Sequence, residues 1–297
     1  MKITASQRIV KSVVISLENS RRIKGFWEHN SDQFNFELFD GFDGRVRQGS
    51  EYFDKEKAER IFGKPVFGGE VGCAISHLQV IREFAYSDGQ DSDLLLVAED
   101  DARLVPDARI VVDRILSKFN NIELLILAEG LGGKNMGSWV SLRRNPTNVI
   151  GNMSFKFTPV GSLPNVMAHR VGHVSNALWG AGLYLISRSA AKSYLKLTDN
   201  LGRSHWLADY YFYWADKAKI DVLVCRPGLA TWEGESEILG REEFDLDAGK
   251  VGGSLLDRIR LRVALRTRLT RFRASFAATI HERKGGSFPY LDKYYTG

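Results

Sequence analysis

Short runs of mostly apolar residues alternate along the chain with longer segments of helical period. A run of four to six such residues is the length of a strand, and one that is apolar throughout is typical of a strand buried on both faces of a sheet. The strands predicted in this way are Val13–Leu17, Phe36–Phe39, Leu94–Ala98, Glu123–Ala128, Gly182–Ile186 and Asp221–Cys225.

Helical patterns lie between these runs. The longest predicted helix, Glu70–Ala85, repeats apolar residues along one face. The others are Asp54–Ile61, Pro106–Phe119, Arg188–Leu197 with Ser187 as its N-cap, and Trp206–Ala218. Alternating strands and helices predict an α/β fold with a mostly parallel central sheet. Ligands of such folds bind beyond the carboxyl ends of the strands.

Composition is that of an ordinary globular protein. The 297 residues are 44% hydrophobic and 26% charged, and this length allows either one large domain with appendages or two small domains. Two cysteines, Cys73 and Cys225, do not form a disulfide framework. Val13–Leu17 is too short for the core of a signal peptide, and no apolar stretch reaches the length of a spanning helix. We therefore expect a cytoplasmic protein.

The positive charge is concentrated near the C-terminus. Ten basic and three acidic residues follow Gly253, a net charge of +7, whereas the preceding part of the chain carries −2. This contrast divides the chain into a body, residues 8–250, and a basic tail, residues 251–297, predicted to be helical. Arg258–Arg273 could bind an anionic membrane surface, which would place the protein at the inner face of the cytoplasmic membrane. A helix packed on the body is the alternative, and nucleic-acid binding is not expected because the body shows no recognisable binding fold.

The strand Leu94–Ala98 runs directly into three carboxylates, Glu99, Asp100 and Asp101. Neighbouring charges of this kind repel by roughly 4 kcal/mol per pair at ~4 Å and an effective dielectric constant of ~20. A bound cation would offset that repulsion, and hard oxygen ligands suit Mg²⁺ or Mn²⁺, which commonly accompany phosphorylated substrates. A solvated acidic turn is the alternative interpretation.

Three further features lie near the predicted carboxyl edge of the sheet. Arg22 follows the first strand, where it could meet a phosphate or stay in solvent. Gly72 could let the backbone approach a ligand or could mark a turn. His77 lies one helical turn after Cys73, so the two could form a metal pair, or a buried histidine with the cysteine as filler.

Several separated segments resemble glycosyltransferase family 25, the lipopolysaccharide-biosynthesis transferases that include bacterial β-galactosyltransferases. The resemblance runs in order over about residues 10–240. The most specific pairing is GCAISH, residues 72–77, followed about twenty residues later by the EDD of residues 99–101. The supporting segments are VVISLENSRR (13–22), FELFDGFDGR (36–45), GLYLISRSAA (182–191), LADYY (207–211) and GESEI (234–238).

The resemblance implies a GT-A-like fold that transfers a hexose, first of all galactose from UDP-galactose, to a sugar hydroxyl of a lipopolysaccharide-type or lipid-linked glycan. UDP-glucose or a UDP-N-acetylhexosamine is the alternative donor. A catalytically inactive sugar- or membrane-binding relative is the alternative function.

The family pattern also implies roles for individual residues. Glu99 and Asp101 would bind Mn²⁺ or Mg²⁺, with Asp100 bonding locally or reaching the ribose. Inversion at the sugar requires a base, for which Asp209 in LADYY is the candidate, with Glu233 and Glu235 as runners-up. The alternative is that Asp209 only faces solvent on an aromatic helix. The remaining residues predicted at the nucleotide are Arg22, Gly72, Ser76 and His77.

Overall fold

The computed structural model describes residues 8–62, 65–128, 158–159, 170–173, 180–226 and 228–232. Their largest feature is an eight-stranded sheet with the order β2-β1-β3-β8-β5-β9-β7-β6. A two-stranded antiparallel ribbon, β4 with β10, lies beside it. The strands are β1 Ile9–Ser16, β2 Phe36–Asp40, β3 Leu94–Glu99, β4 Ala102–Leu104, β5 Leu124–Ala128, β6 Thr158–Pro159, β7 Arg170–Gly172, β8 Leu183–Ser187, β9 Val222–Arg226 and β10 Ala230–Trp232.

Helices cover both faces of this sheet. They are α1 Arg22–Asn30, α2 Lys55–Phe62, α3 Gly68–Tyr86, α4 Ala108–Lys118, α5 Arg188–Leu201 and α6 Tyr211–Ala218. The side chain of Ser187 accepts a hydrogen bond from the backbone N–H of Ala190. This bond confirms the prediction that Ser187 is the N-cap of α5.

Alternate residues of the central strands feed two separate apolar clusters. Val13 of β1 and Val97 of β3 pack with α3, α5 and α6 on one face. Val14 and Leu96 pack with α1 and α4 on the other. Because successive side chains of a strand point to opposite faces, an uninterrupted apolar run fills both clusters at once.

The expectation of a mostly parallel sheet is wrong for the described strands. Of the seven pairings in the large sheet, only β1 with β2, β1 with β3, and β5 with β9 are parallel. Strand β8 lies between β3 and β5 and is antiparallel to both. A strand buried on both faces has the same apolar run in either direction, so the sequence pattern could not reveal this reversal.

The predicted helix Trp206–Ala218 is also only partly correct, because helix α6 begins at Tyr211. Trp206 precedes the helix and is buried, and its indole N–H donates to the hydroxyl of Tyr194 at 2.9 Å. The segment before Tyr211 forms a turn and not a helix, and its Trp206 packs into the core. Helix α1 was not predicted.

The predicted tail, residues 251–297, and the runner-up bases Glu233 and Glu235 lie outside the described residues. Within the described part, no helix combines the length and the apolar character needed to cross a bilayer.

Candidate functional site

Strands β1, β3 and β8 bring their ends to one edge of the sheet. Ser16 ends β1 and Glu99 ends β3, while β8 begins there because it runs in the opposite direction. The backbone N–H of Glu99 donates to the carbonyl of Gly182 at 3.1 Å. All three predicted carboxylates therefore lie at the carboxyl edge of the parallel strands.

Asp100 is the most deeply buried of the three carboxylates, with 5% of its side chain exposed. Its Oδ2 accepts hydrogen bonds from the hydroxyls of Ser16 at 2.7 Å and Ser20 at 2.5 Å. Its Oδ1 pairs with the guanidinium of Arg22 at 3.1 Å. Asp100 thus connects the loop after β1 to the end of β3. Of the two roles expected for Asp100, local bonding or contact with the ribose, these contacts correspond to local bonding.

Only one of the two carboxylate oxygens of Asp101 has a hydrogen-bond partner among the described residues. Its Oδ2 accepts a hydrogen bond from Arg22 at 3.0 Å, whereas Oδ1 is buried without a hydrogen-bond partner in the described structure. Burial, and then the charge of Glu99, raise the pKa of Asp101 to about 7, against the opposing effect of Arg22. Arg22 therefore compensates only part of the negative charge at this edge.

Glu99 points toward helix α3. Its Oε1 lies 3.2 Å from Nε2 of His77 and accepts a hydrogen bond from the Cys73 thiol at 3.5 Å. The other imidazole nitrogen, Nδ1, lies 2.9 Å from the hydroxyl of Tyr184. Burial acts to raise the pKa of Glu99, but the hydrogen bonds and charges of His77, Cys73 and Arg22 outweigh it and lower that pKa. Glu99 is consequently held as a carboxylate.

Asp209 lies in the turn before α6 and is half-buried. Burial raises the pKa of the Cys73 thiol well above its usual value, and the negative charges of Glu99, Asp209 and Asp101 raise it further. Asp209 is therefore close enough to Cys73 for its charge to act on the thiol. Carboxylates from two separate parts of the sequence, residues 99–101 and Asp209, therefore act on one position of α3.

Gly72 and Ser76 contact the loop after β2. A Cβ atom on Gly72 would lie 2.7 Å from the backbone nitrogen of Gly44. The missing side chain therefore makes room for the backbone of the loop after β2 and not for a ligand. The hydroxyl of Ser76 accepts from the N–H of Phe42 at 2.8 Å and donates to the carbonyl of Gly72 at 2.7 Å. Both residues fix the loop against α3.

Sequence reasoning missed three residues that organise the site: Ser16, Ser20 and Tyr184. The serines lie within the SLENSRR segment that carries part of the family resemblance, and their small hydroxyls next to a strand end were the available signal. Tyr184 lies on β8, and only the antiparallel insertion of this strand brings it beside His77.

The fold and site define an α/β protein with a carboxylate-rich centre at the carboxyl edge of its sheet. A sequence model of glycosyltransferase family 25, described as a lipopolysaccharide-biosynthesis protein, matches residues 9–211. The chain belongs to this family, and the membership indicates a glycosyltransferase.

No curated protein matches the sequence. Among solved structures, the inositol-1-phosphate CTP transferase from T. maritima is similar at 11% sequence identity and a TM-score of 0.38. That alignment covers 83% of this chain and 98% of the other.

Proposed function

We propose that the protein is a metal-assisted, inverting hexosyltransferase with a GT-A-like fold. The donor would be a UDP-sugar, with UDP-galactose first, and the acceptor a sugar hydroxyl of a lipopolysaccharide-type or lipid-linked oligosaccharide. The observation that carries the proposal is the convergence of Glu99, Asp101 and Asp209 at the carboxyl edge of the sheet in a member of this family.

The residues at this edge fit a divalent cation. Asp101 Oδ1 is buried without a partner, and no hydrogen bond from a described residue reaches Glu99 Oε2. These two oxygens would hold Mn²⁺ or Mg²⁺, and Asp100 would remain with Ser16, Ser20 and Arg22. When bound, the ion would supply Lewis-acid stabilisation of the departing diphosphate.

The protein's own groups would perform the remaining steps. Arg22 holds Asp100 and Asp101 in fixed positions and adds positive charge where a diphosphate would lie. Asp209 would accept the proton of the acceptor hydroxyl as that oxygen attacks the anomeric carbon. Inversion requires this base on the side opposite the leaving diphosphate.

A panel of UDP-sugars, each assayed for hydrolysis and transfer with and without Mn²⁺, tests the proposal. We expect Asp209→Asn to lower kcat by about 10²–10⁴-fold, the usual contribution of a general base. Asp216 is exposed on the following helix, so Asp216→Asn is a matched control that retains activity. Turnover of no donor at all would support the inactive relative, and full activity of Asp101→Asn would refute metal assistance at this residue. UDP-glucose or a UDP-N-acetylhexosamine as the preferred substrate would change only the donor.

The basic tail supports a second element of the proposal, attachment through Arg258–Arg273 to an anionic cytoplasmic membrane surface. Each engaged basic residue contributes about 1 kcal/mol near such a surface, so three or four would give reversible binding. A lipid-linked acceptor would then lie at the same surface as the enzyme.

A further inference from the structure

A second cluster of metal-ligating atoms lies beside the proposed cation position. The thiol of Cys73, the imidazole of His77 and a carboxylate oxygen of Glu99 all lie within 4.8 Å of one another. Cys73 and His77 are four residues apart on α3, and Glu99 is the last residue of β3. We propose that these three residues form a binding site for a thiophilic divalent cation, Zn²⁺ in the first place.

Two distances between donor atoms of the cluster, both measured from Glu99 Oε1, are those of a tetrahedral site. With usual zinc bond lengths, two ligands of a tetrahedron are separated by about 3.3 Å for nitrogen and oxygen and about 3.5 Å for sulfur and oxygen. Nε2 of His77 lies 3.2 Å from Glu99 Oε1, and Sγ of Cys73 lies 3.5 Å from the same oxygen. Glu99 Oε1 is therefore already at ligand spacing from each of the two donor atoms on α3.

The surroundings of the imidazole favour coordination. A histidine that binds a metal through one nitrogen usually holds a polar partner on the other, which fixes the ring. The hydroxyl of Tyr184 lies 2.9 Å from Nδ1 of His77 and performs this task, leaving Nε2 directed at Glu99. Without a metal, a proton must lie between Nε2 and the carboxylate; a cation would take its place.

The charge of the donor set selects the kind of ion. A thiolate and a carboxylate with a neutral imidazole carry a charge of −2, which one divalent cation neutralises. On binding, the thiol proton passes to solvent, and the neutral imidazole moves its proton from Nε2 to Nδ1, where it can be donated to the hydroxyl of Tyr184. A thiolate and an imidazole favour Zn²⁺ over the harder Mg²⁺. The site is thus separate in chemistry from the all-oxygen position at Asp101, although Glu99 can serve both through its two oxygens.

Three protein ligands leave a fourth position of the tetrahedron for water. The side chain of Glu99 is 26% exposed, so this position can be reached from solvent. Asp101 and Asp209 add negative charge around Cys73 and would increase the local concentration of cations.

Cobalt titration of the tag-free, chelator-treated full-length protein tests the site. Co²⁺ replaces Zn²⁺ in tetrahedral sites and produces a thiolate-to-cobalt charge-transfer absorption. We expect one equivalent of Co²⁺ to bind with this absorption and to be displaced by Zn²⁺. Cys73→Ser should abolish the absorption, and His77→Gln should weaken cobalt binding by at least tenfold.

Two controls separate this site from its neighbours. Cys225, the other cysteine, is fully buried on β9, and Cys225→Ser should leave the absorption unchanged. Asp101→Asn should also retain it, because Asp101 is outside the donor set, even where that variant loses transferase activity. An absorption that is absent from the wild type, or that persists in Cys73→Ser, would overturn the proposal.

A second measurement requires no variant and therefore does not depend on the folding of a mutant. Zn²⁺ should slow alkylation of Cys73 at least tenfold in the native wild-type protein, as mapped by mass spectrometry. Cys225 is fully buried and should stay unmodified with and without Zn²⁺, which reports that the protein remains folded. Equal rates for Cys73 with and without Zn²⁺ would contradict the site.

Discussion

Replacing Asp101 by asparagine tests whether ionisation of Asp101 destabilises the folded protein when no cation is bound. Burial and the charge of Glu99 raise the pKa of Asp101 from 3.8 to about 7. A shift of one unit corresponds to about 1.4 kcal/mol, so ionising this carboxyl in the folded protein costs about 4 kcal/mol. Asparagine is neutral at every pH and avoids this cost.

The pH dependence follows from the sign of the shift. At a pH well below 3.8, the side chain is protonated in both the folded and the unfolded chain and costs nothing. As the pH rises to about 7, the unfolded chain releases the proton while the folded protein retains it, so the wild type loses stability relative to Asp101→Asn. Above pH 7 the loss is complete.

Urea unfolding in the presence of a chelator at pH 4, 6 and 8 measures this difference. We expect Asp101→Asn to be more stable than the wild type at pH 8, by up to about 4 kcal/mol, and the gain to shrink toward pH 4. Asp88 is exposed, and Asp88→Asn should follow the wild type at every pH. A variant no more stable than the wild type at pH 8 would show that Asp101 ionises in the folded protein without this cost.

Cation binding should narrow this difference in stability. Mn²⁺ at about a hundred times its dissociation constant would stabilise the wild type by about 2.7 kcal/mol. Asp101→Asn should gain much less, because it loses the carboxylate. Equal stabilisation of both proteins by Mn²⁺ would place the ion elsewhere.

Three further predictions concern the packing and the tail. Gly72→Ala should lower the free energy of unfolding by more than 1 kcal/mol, because its Cβ would meet the backbone of Gly44; thermal unfolding measures this. Arg188→Met should cost about 3–5 kcal/mol in urea unfolding, since the buried guanidinium donates to the carbonyls of Phe84 and Ser87. The control Arg82→Met should cost about 0–1 kcal/mol, because the Arg82 side chain is 42% exposed and its ion pair with Asp199 lies near the surface. Replacing four tail arginines by glutamine should weaken co-sedimentation with anionic vesicles by about 4 kcal/mol, and unchanged binding would contradict the membrane role. The arginines are Arg258, Arg260, Arg262 and Arg266.

Long apolar runs were the part of the fold that the sequence predicted best. Leu94–Ala98 and Glu123–Ala128 correspond to β3 and β5 within one residue at each end, because a strand buried on both faces tolerates no polar side chain. Helix α1 was missed because Arg22–Asn30 contains a central glycine and few apolar residues. Its burial depends on Phe26, which packs against the sheet.

The sequence predicted several residues of the candidate site but not the contacts between their side chains. The position of Glu99, Asp100 and Asp101 followed from the strand that precedes them. The contacts of Glu99 with Cys73 and His77 depend on how α3 packs against the end of β3, and the position of Asp209 depends on where α6 begins. Such contacts join residues more than twenty positions apart, which local periodicity cannot register.

The position of β8 in the sheet has a consequence for synthesis of the protein on the ribosome. Strand β5 pairs only with β8 and β9 in the described sheet, so both of its partners are translated later than β5 itself. The chain must grow by about 60 residues from β5 to β8, which takes about 3–12 s at ordinary rates of translation. During that interval the apolar segment Leu124–Ala128 has neither of its two described partner strands, and a nascent chain is most exposed to chaperones and to aggregation at this stage.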